Sequence, residues 1–254
     1  NRKYRFKSAE DIVDRIEYLQ KNYNANSFWF IDEDFFLNKK RLLQFLDLIE
    51  KRNLHFYWRA SLRVNYFNDD YITVNLAKRL EKNGLVIAVM GAECGSQRML
   101  DYINKGINVE NTLRSAEVLS KTDILAKYSF IVGLPSETKE DLRDTYRLVL
   151  KIAKIKKNHD LVIFPFRPYP GSPIYEDAKE KYTIYEPSRL EDWANNEDYS
   201  EASGYITYKK NSWFPDYKEY EQLKFIKAHF FGFINRKGLI ARFFRYIVSI
   251  RFKF

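Results

Sequence analysis

Cysteine, glycine and histidine are scarce in this 254-residue chain, and the shortages exclude several kinds of site. The single cysteine, Cys94, excludes a disulfide within the chain and a zinc or iron–sulfur site built from the chain's own cysteines alone. The three histidines, His55, His159 and His229, match neither a zinc-hydrolase spacing nor a catalytic triad. A chain so poor in cysteine suits a reducing compartment, and we therefore expect a cytoplasmic protein.

Long apolar runs are also missing. No stretch of about 20 apolar residues exists, so the sequence predicts no membrane-spanning helix. The charged residues 1–7 do not resemble a secretion signal, and the missing initiator methionine leads us to expect a fragment or a processed chain. What is present suits a packed core, because hydrophobic residues make up 45% of the chain and charged residues 30%.

The net charge of +9 is concentrated at the C-terminal end. Residues 224–254 contain eight lysines and arginines, nine aromatic residues and no acid, which leaves the rest of the chain almost neutral. A nearly neutral body does not predict nucleic-acid binding. We expect the basic, aromatic tail either to form a helix that closes the fold or to lie on an anionic membrane.

Apolar runs of strand length alternate with helical patterns along the first 180 residues. The strand candidates share a short apolar stretch and lie at 27–31, 54–60, 85–90, 124–132 and 161–166. The helix candidates share apolar residues three and four positions apart and lie at 8–22, 39–52, 69–83, 96–103, 109–121 and 138–157. Strands that alternate with helices at this spacing predict an α/β fold with a parallel sheet.

Two architectures match this alternation: an open doubly wound sheet, and a complete or partial barrel. A doubly wound dinucleotide-binding sheet needs a glycine-rich turn after its first strand, where the backbone approaches a pyrophosphate. Here the first strand is followed by Asp32, Glu33 and Asp34, which would repel a pyrophosphate. The sequence therefore favours the barrel, which places ligands at the carboxyl ends of its strands.

Polar groups follow each predicted strand, at the end where a barrel binds its ligands. These groups lie at 32–34, 58–61, 91–96, 133–138 and 167–173. Singly, each has a plain structural explanation: an acid such as Asp34 can cap a helix, Glu93 can be a solvated loop charge, and Cys94 can be a small buried residue. Their joint placement at five strand ends indicates a site.

In order and composition these segments resemble the radical S-adenosylmethionine (SAM) superfamily, and closely the branch that is often fused to a cobalamin-binding domain. The motifs shared with that branch lie at 32–35, 91–96, 133–138 and 168–175. A basic residue, Lys105, follows the second motif as it does in the family. Cys94 departs from the usual serine of the second motif, and Ser136 departs from the usual glycine of the third. The resemblance covers residues 4–178.

The resemblance implies a partial (β/α)6 TIM-like barrel of parallel strands with the first strand missing and a C-terminal helical extension. It also implies an enzyme that uses a [4Fe–4S] cluster to cleave SAM reductively to a 5′-deoxyadenosyl radical. The cluster motif, Cys-x-x-x-Cys-x-x-Cys, is absent. We therefore interpret the chain as a fragment that is inactive alone; a homologue without a cluster is the other interpretation.

For the full-length enzyme the resemblance implies an oxidoreductase-like or methyltransferase-like reaction on a small or lipophilic substrate. Cobalamin and an electron-donor protein are the further cofactor and partner that it implies. It assigns SAM binding to ten residues: Asp32, Glu33, Asp34, Glu93, Ser96, Lys105, Ser129, Gly133, Phe166 and Pro168. It implies no metal ligand within the chain itself.

Each of these roles matches the chemistry of one part of SAM. The acids after the first strand suit the methionyl ammonium group, Glu93 suits that group or the ribose hydroxyls, and Lys105 suits the carboxylate. Ser129 is expected to face the ribose, and Gly133 to let the chain turn tightly near the ligand. The backbone at residues 166–168 is expected to read the adenine.

We expect two parts, a barrel at residues 1–181 and a largely helical extension at residues 182–254. Two other functions stay open at this point. One is a metal-dependent barrel hydrolase that uses Asp32, Asp34 and Glu93, although histidine ligands are missing. The other is a non-catalytic scaffold that binds a membrane or a partner through its basic tail.

Overall fold

A computed structural model of the chain describes residues 5–155, 159–166, 169–182 and 189. The strands are β1 (Ser27–Trp29), β2 (Tyr57–Leu62), β3 (Leu85–Glu93), β4 (Leu125–Val132) and β5 (Asp160–Pro165). The helices are α1 (Ala9–Tyr23), α2 (Lys39–Lys51), α3 (Val74–Lys82), α4 (Gln97–Tyr102), α5 (Val109–Leu119), α6 (Lys139–Ile155) and α7 (Pro173–Lys181). None of these helices is both long enough and apolar enough to span a bilayer. The expected extension at 182–254 lies outside the described residues, apart from Tyr182 and Arg189.

The five strands form one parallel sheet whose order is that of the chain, β1-β2-β3-β4-β5. Trp29 of β1 pairs with Arg59 of β2, and Ala60 of β2 pairs with Ala88 of β3. Parallel neighbours need a crossover connection, usually a helix, and a helix lies between each strand and the next. The predicted α/β fold is confirmed, and this sheet is consistent with a partial TIM-like barrel.

Several element boundaries differ from the sequence pattern. The pattern predicts a helix from residue 69, but α3 begins at Val74, because the Thr73 hydroxyl caps it by accepting a hydrogen bond from the Leu76 N–H. β3 continues to Glu93 rather than ending at residue 90, so the second motif begins inside the strand. The pattern does not predict α7, which begins with Pro173 in its first turn.

The described residues form two compact units. Unit 1 consists of those within Asn1–Ala92, Ile107–Ser129 and Leu150–Leu161. Unit 2 consists of those within Glu93–Gly106, Phe130–Val149 and Val162–Phe254.

Trp58 of β2 lies at the centre of an aromatic cluster in unit 1. Its side chain is buried, and its indole N–H donates to the Asn83 carbonyl at 2.8 Å. Four rings have their centroids between 5.5 and 6.2 Å from the indole, those of Phe30, Phe35, Phe36 and Phe45. Aromatic pairs at such distances stabilise a core beyond their buried area. Because Phe35 and Phe36 follow directly after the acids at 32–34, this cluster anchors the first motif.

A tight turn links α3 to β3 and requires glycine. Gly84 has a φ of +87°, and a Cβ at this position would overlap the carbonyl oxygen of Phe56. We expect Gly84→Ala to lower the free energy of unfolding by about 3 kcal/mol, the sum of a left-handed backbone cost and a steric cost. Urea denaturation monitored by circular dichroism measures this loss.

Gly171→Ala is the matched control, because Gly171 has a φ of +80° but no atom near the position of a Cβ. It should cost only about 1 kcal/mol, the backbone part alone. Equal losses in the two variants would show that the overlap with Phe56 does not govern the turn at Gly84.

Candidate functional site

Glu93 and Lys105 form an ion pair at the carboxyl end of β3. The Lys105 Nζ atom lies 2.5 Å from Glu93 Oε1, and only 10% of the glutamate side chain is exposed. Glu93 is the last residue of β3, and Lys105 follows α4, so the structure brings together two of the residues that the sequence assigns to the site. An adjacent carboxylate and ammonium group can bind a ligand that carries one positive and one negative charge.

The backbone of Glu93 is in the left-handed region, with a φ of 60°. Such a conformation costs a non-glycine residue roughly 1–2 kcal/mol and persists only where the surroundings enforce it, often at ligand sites. The next turn supplies that enforcement. The Gly95 N–H donates to Thr145 Oγ1 at 3.0 Å, and a Cβ on Gly95 would overlap the backbone carbonyl of Asp144. The loop at 93–96 is therefore packed tightly against α6.

The chain's only cysteine is buried inside this loop. The Cys94 thiol donates to the Ser96 carbonyl at 3.6 Å. Burial raises the pKa of the Cys94 thiol to about 12, so the thiol stays protonated at neutral pH. An iron–sulfur cluster is held by several thiolates, and a single buried, protonated thiol does not fit that requirement. The prediction that Cys94 is a small buried residue is confirmed.

Asp141, in the first turn of α6, is the centre of a second charged cluster in unit 2. One carboxylate oxygen accepts the Ser96 hydroxyl at 2.6 Å, and the Arg98 guanidinium donates to both oxygens. The backbone N–H and the hydroxyl of Thr138 also donate to the carboxylate, at 2.8 and 2.6 Å. Burial alone would raise the pKa of Asp141, but these hydrogen bonds outweigh it and hold the pKa well below its usual range.

The turn after β4 closes on itself through Glu137. The Gly133 N–H donates to Glu137 Oε2 at 2.6 Å, and Gly133 and Ser136 have positive φ values of 79° and 64°. Arg98 also donates to the Ser136 carbonyl at 2.8 Å. Arg98 thus links the segment that follows β3 to the turn that follows β4. Burial raises the pKa of Glu137 to about 8, so its carboxyl group is mostly protonated at neutral pH.

The three acids after β1 belong to unit 1, and their surroundings differ. Asp34 Oδ2 accepts the Tyr66 hydroxyl at 2.5 Å, and burial raises the pKa of Asp34. Glu33 is exposed. Asp32 lines a cavity of about 270 Å³, most of whose lining comes from α1 and the β1 region. The site residues therefore fall into two groups, and Glu93, Ser96 and Lys105 are in unit 2.

The remaining site residues lie on the last two strands or just beyond them. The Ser129 hydroxyl of β4 donates to the Met90 carbonyl at 3.4 Å. The Phe166 N–H donates to the Val132 carbonyl at 2.8 Å, which continues the strand pairing past the end of β5. Because this bond uses the Phe166 N–H, the carbonyl is the backbone group of Phe166 that could still bind adenine. Pro168 lies outside the described residues.

Sequence reasoning missed Asp141, Arg98 and Thr145. The Thr138-x-x-Asp141 spacing is a capping-box pattern and was the available signal for Asp141. It predicts the start of α6 but not the bonds from Ser96 and Arg98, which lie 45 and 43 residues away along the chain. Within the described ranges, no three His, Cys, Asp or Glu side chains are grouped so that they could hold a metal ion. The hydrolase alternative therefore gains no support.

Comparison with known proteins identifies the family. The profile of the radical SAM superfamily matches residues 1–149. The chain is 33% identical over 178 residues to an uncharacterized methyltransferase of Pyrococcus horikoshii, which covers 70% of this chain and 37% of that protein. It is 28% identical over 185 residues to the anaerobic magnesium-protoporphyrin IX monomethyl ester cyclase of Rubrivivax gelatinosus, covering 73% of this chain and 32% of the cyclase. The chain belongs to the radical SAM superfamily, and it spans about a third of the length of these relatives.

Solved structures share the fold. The radical SAM methyltransferase TsrM from Kitasatospora setae, with cobalamin and a [4Fe–4S] cluster bound, has a TM-score of 0.58 at 16% identity and covers 69% of this chain and 32% of TsrM. The cobalamin-dependent SAM radical enzyme OxsB has a TM-score of 0.61 at 14% identity and covers 99% of this chain and 46% of OxsB. At these identities the likeness establishes the fold alone.

The raised pKa of Glu137 predicts that the stability of the chain depends on pH. Its folded pKa of about 8 lies above the usual 4.5, so the folded chain holds a proton that the unfolded chain has released between these values. The free energy of unfolding should therefore fall as the pH rises through this range, by at most about 1.4 kcal/mol per pH unit for one group. Glu137→Gln cannot ionise and should remove this slope. Urea denaturation at several pH values between about 5 and 9 measures it.

Glu140→Gln is the control on the same helix. Arg147 and Arg143 lower the pKa of this exposed carboxyl group below 4.5, so its contribution changes only in acid and the slope between about pH 5 and 9 should be kept. Parallel stability curves for Glu137→Gln and the unchanged chain would contradict the assignment of the slope to Glu137.

Proposed function

We propose that this chain is the SAM-binding part of a radical SAM enzyme, and that Glu93 and Lys105 hold the methionyl end of SAM. Their ion pair at the end of β3 is the observation that carries the proposal. The methionyl end of SAM has an ammonium and a carboxylate on one carbon, which an adjacent acid and base complement. A ligand that separates Glu93 from Lys105 gives each of them a new partner, so neither charge is left buried and unpaired.

The other candidate residues extend this proposal to the rest of SAM. Asp32 and Asp34 would face the ammonium group with Glu33 beside them, and Ser129 would face the ribose. The turn at Gly133 and the backbone of Phe166 and Pro168 would surround the adenine. The motif resemblance supports these roles. For Ser96 the structure supports an indirect role, because its hydroxyl already donates to Asp141.

We assign the [4Fe–4S] cluster to cysteines outside this chain, because Cys94 is the chain's only cysteine and does not fit as a ligand. When both are bound, the reduced cluster and SAM supply the radical chemistry of the superfamily. The residues of this chain bind and orient SAM and exclude water around it.

For the full-length enzyme we propose a methyltransferase-like or oxidoreductase-like reaction on a small molecule, with cobalamin as a further cofactor. The names of the relatives support this, since they include a methyltransferase, a cyclase, a methyltransferase whose structure contains bound cobalamin, and a cobalamin-dependent radical enzyme. A partner that donates electrons to the cluster belongs to the same proposal, as does contact of the basic tail with a membrane.

Substitution of the ion pair tests the SAM site. In the full-length protein with its cluster reconstituted under anaerobic conditions, Glu93→Gln and Lys105→Met each remove one charge-assisted contact to SAM. A contact of this kind is worth roughly 1.5–3 kcal/mol, so the Kd for SAM should rise about tenfold or more. Equilibrium dialysis with labelled SAM measures the Kd, and iron analysis confirms that the cluster content is equal.

Lys40→Met is the matched control, because Lys40 is an exposed lysine on α2. This variant should bind SAM as the unchanged protein does. If both Glu93→Gln and Lys105→Met bound SAM with unchanged affinity, the assignment of these residues would be wrong, although the fold would stand.

A further inference from the structure

We propose that Asp141 is a positioning residue: it fixes the loop at 93–96 and thereby aims the Glu93 carboxylate at the bound ligand. This proposal rests on the proposed SAM site. Asp141 lies on α6 and does not itself pair with Glu93 or Lys105. It acts through Ser96, which follows Gly95, and through Arg98, two positions further along the chain.

The contacts of Asp141 exceed what a helix cap requires. Capping of α6 needs only the exchange of hydrogen bonds with Thr138, in which Thr138 donates to Asp141 and the Asp141 N–H donates back to the Thr138 hydroxyl at 3.3 Å. The second carboxylate oxygen is turned to the Ser96 hydroxyl, 2.6 Å away, and to Arg98. Asp141 therefore links the start of α6 to the start of α4. We call the hydrogen bonds from Ser96 and Arg98 to the Asp141 carboxylate the joint.

The joint is costly to open because Asp141 is ionised and buried. The side chain is only 8% exposed, whereas the Arg98 side chain is 53% exposed, so the aspartate is the buried partner of the ion pair. A buried carboxylate is stable only while its hydrogen bonds are complete. Movement of Ser96 or Arg98 away from α6 would leave the charge incompletely paired, and the loop is thus held in one position.

The backbone of Glu93 shows how the joint affects the candidate site. Only two residues lie between Glu93, the last residue of β3, and the joint at Ser96, and Glu93 itself has a φ of 60°. Gly95 is held against α6 by Thr145, one helical turn after Asp141. If the joint opens, Glu93 can relax to a negative φ, which redirects its side chain. Asp141 therefore controls the direction of the carboxylate that the ligand needs, and a change there should alter ligand affinity without any direct contact.

The test separates the joint from the stability of α6. Asp141→Asn and Arg98→Met weaken the joint, whereas Val149→Ala leaves a cavity beneath α6, where Val149 is buried, and keeps every bond to Asp141 in place. All variants are made in the full-length protein with its cluster reconstituted. Three quantities are measured: the Kd for SAM by equilibrium dialysis, the melting temperature, and the hydrogen-exchange rate of the Gly95 amide.

We expect Asp141→Asn and Arg98→Met to raise the Kd for SAM about tenfold and to accelerate exchange at Gly95 by about the same factor. Val149→Ala should lower the melting temperature but keep the Kd within about twofold. Loss of SAM affinity in Val149→Ala equal to that in the joint variants would overturn the proposal, since α6 stability alone would then explain the effect. Unchanged affinity in Asp141→Asn and Arg98→Met would also overturn it.

Hydrogen exchange at the Gly95 amide tests the positioning role of Asp141 separately from the proposed SAM site. If the unchanged protein bound no SAM, the SAM site would be wrong, but exchange at Gly95 would still show whether Asp141 holds the loop. If SAM bound and depended on Glu93 while Gly95 exchanged equally in every variant, the SAM site would stand and the positioning role would be wrong.

Discussion

The buried carboxylate of Asp141 is the constraint on which the geometry of the candidate site in unit 2 depends. It accepts hydrogen bonds from Ser96, Arg98 and Thr138, which lie in the segments that follow β3 and β4. Such a charge is costly to bury unless every bond to it is made, so these two segments hold a single arrangement. Glu93, with its positive φ and its ion pair with Lys105, lies directly before the segment that is held in this way.

The fold was largely predictable from the sequence because its signals are local. The run at 85–90 is apolar throughout, as expected of a central parallel strand, and it forms the middle of the sheet. The start of α3 was not predictable from apolar spacing alone. Ile72 keeps the apolar spacing of Leu76 and Leu80, but it is buried in a loop and the Thr73 hydroxyl provides the cap. A capping residue decides the boundary where periodicity continues past it.

The candidate site was predictable only in part. Glu93 and Lys105 stand in recognisable motifs, and the chemistry of a zwitterion relates them even before their ion pair is seen. The joint at Asp141 was not predictable, because its partners lie 45 and 43 residues away and no local pattern records such a contact. Asp34 shows the opposite case: the motif assigns it to a ligand cation, whereas the structure gives it a hydrogen bond from Tyr66 and a raised pKa. Its proposed role therefore rests on the resemblance.

A crystal structure of the cluster-bearing full-length protein with SAM bound would show whether Glu93 and Lys105 hold the methionyl end of SAM. We expect the Glu93 carboxylate to lie within hydrogen-bonding distance of the SAM ammonium group or ribose hydroxyls. We expect the Lys105 ammonium to lie within that distance of the SAM carboxylate, with Ser96 and Arg98 still bonded to Asp141. SAM bound elsewhere, with the Glu93–Lys105 ion pair intact and turned away from it, would rule out this site.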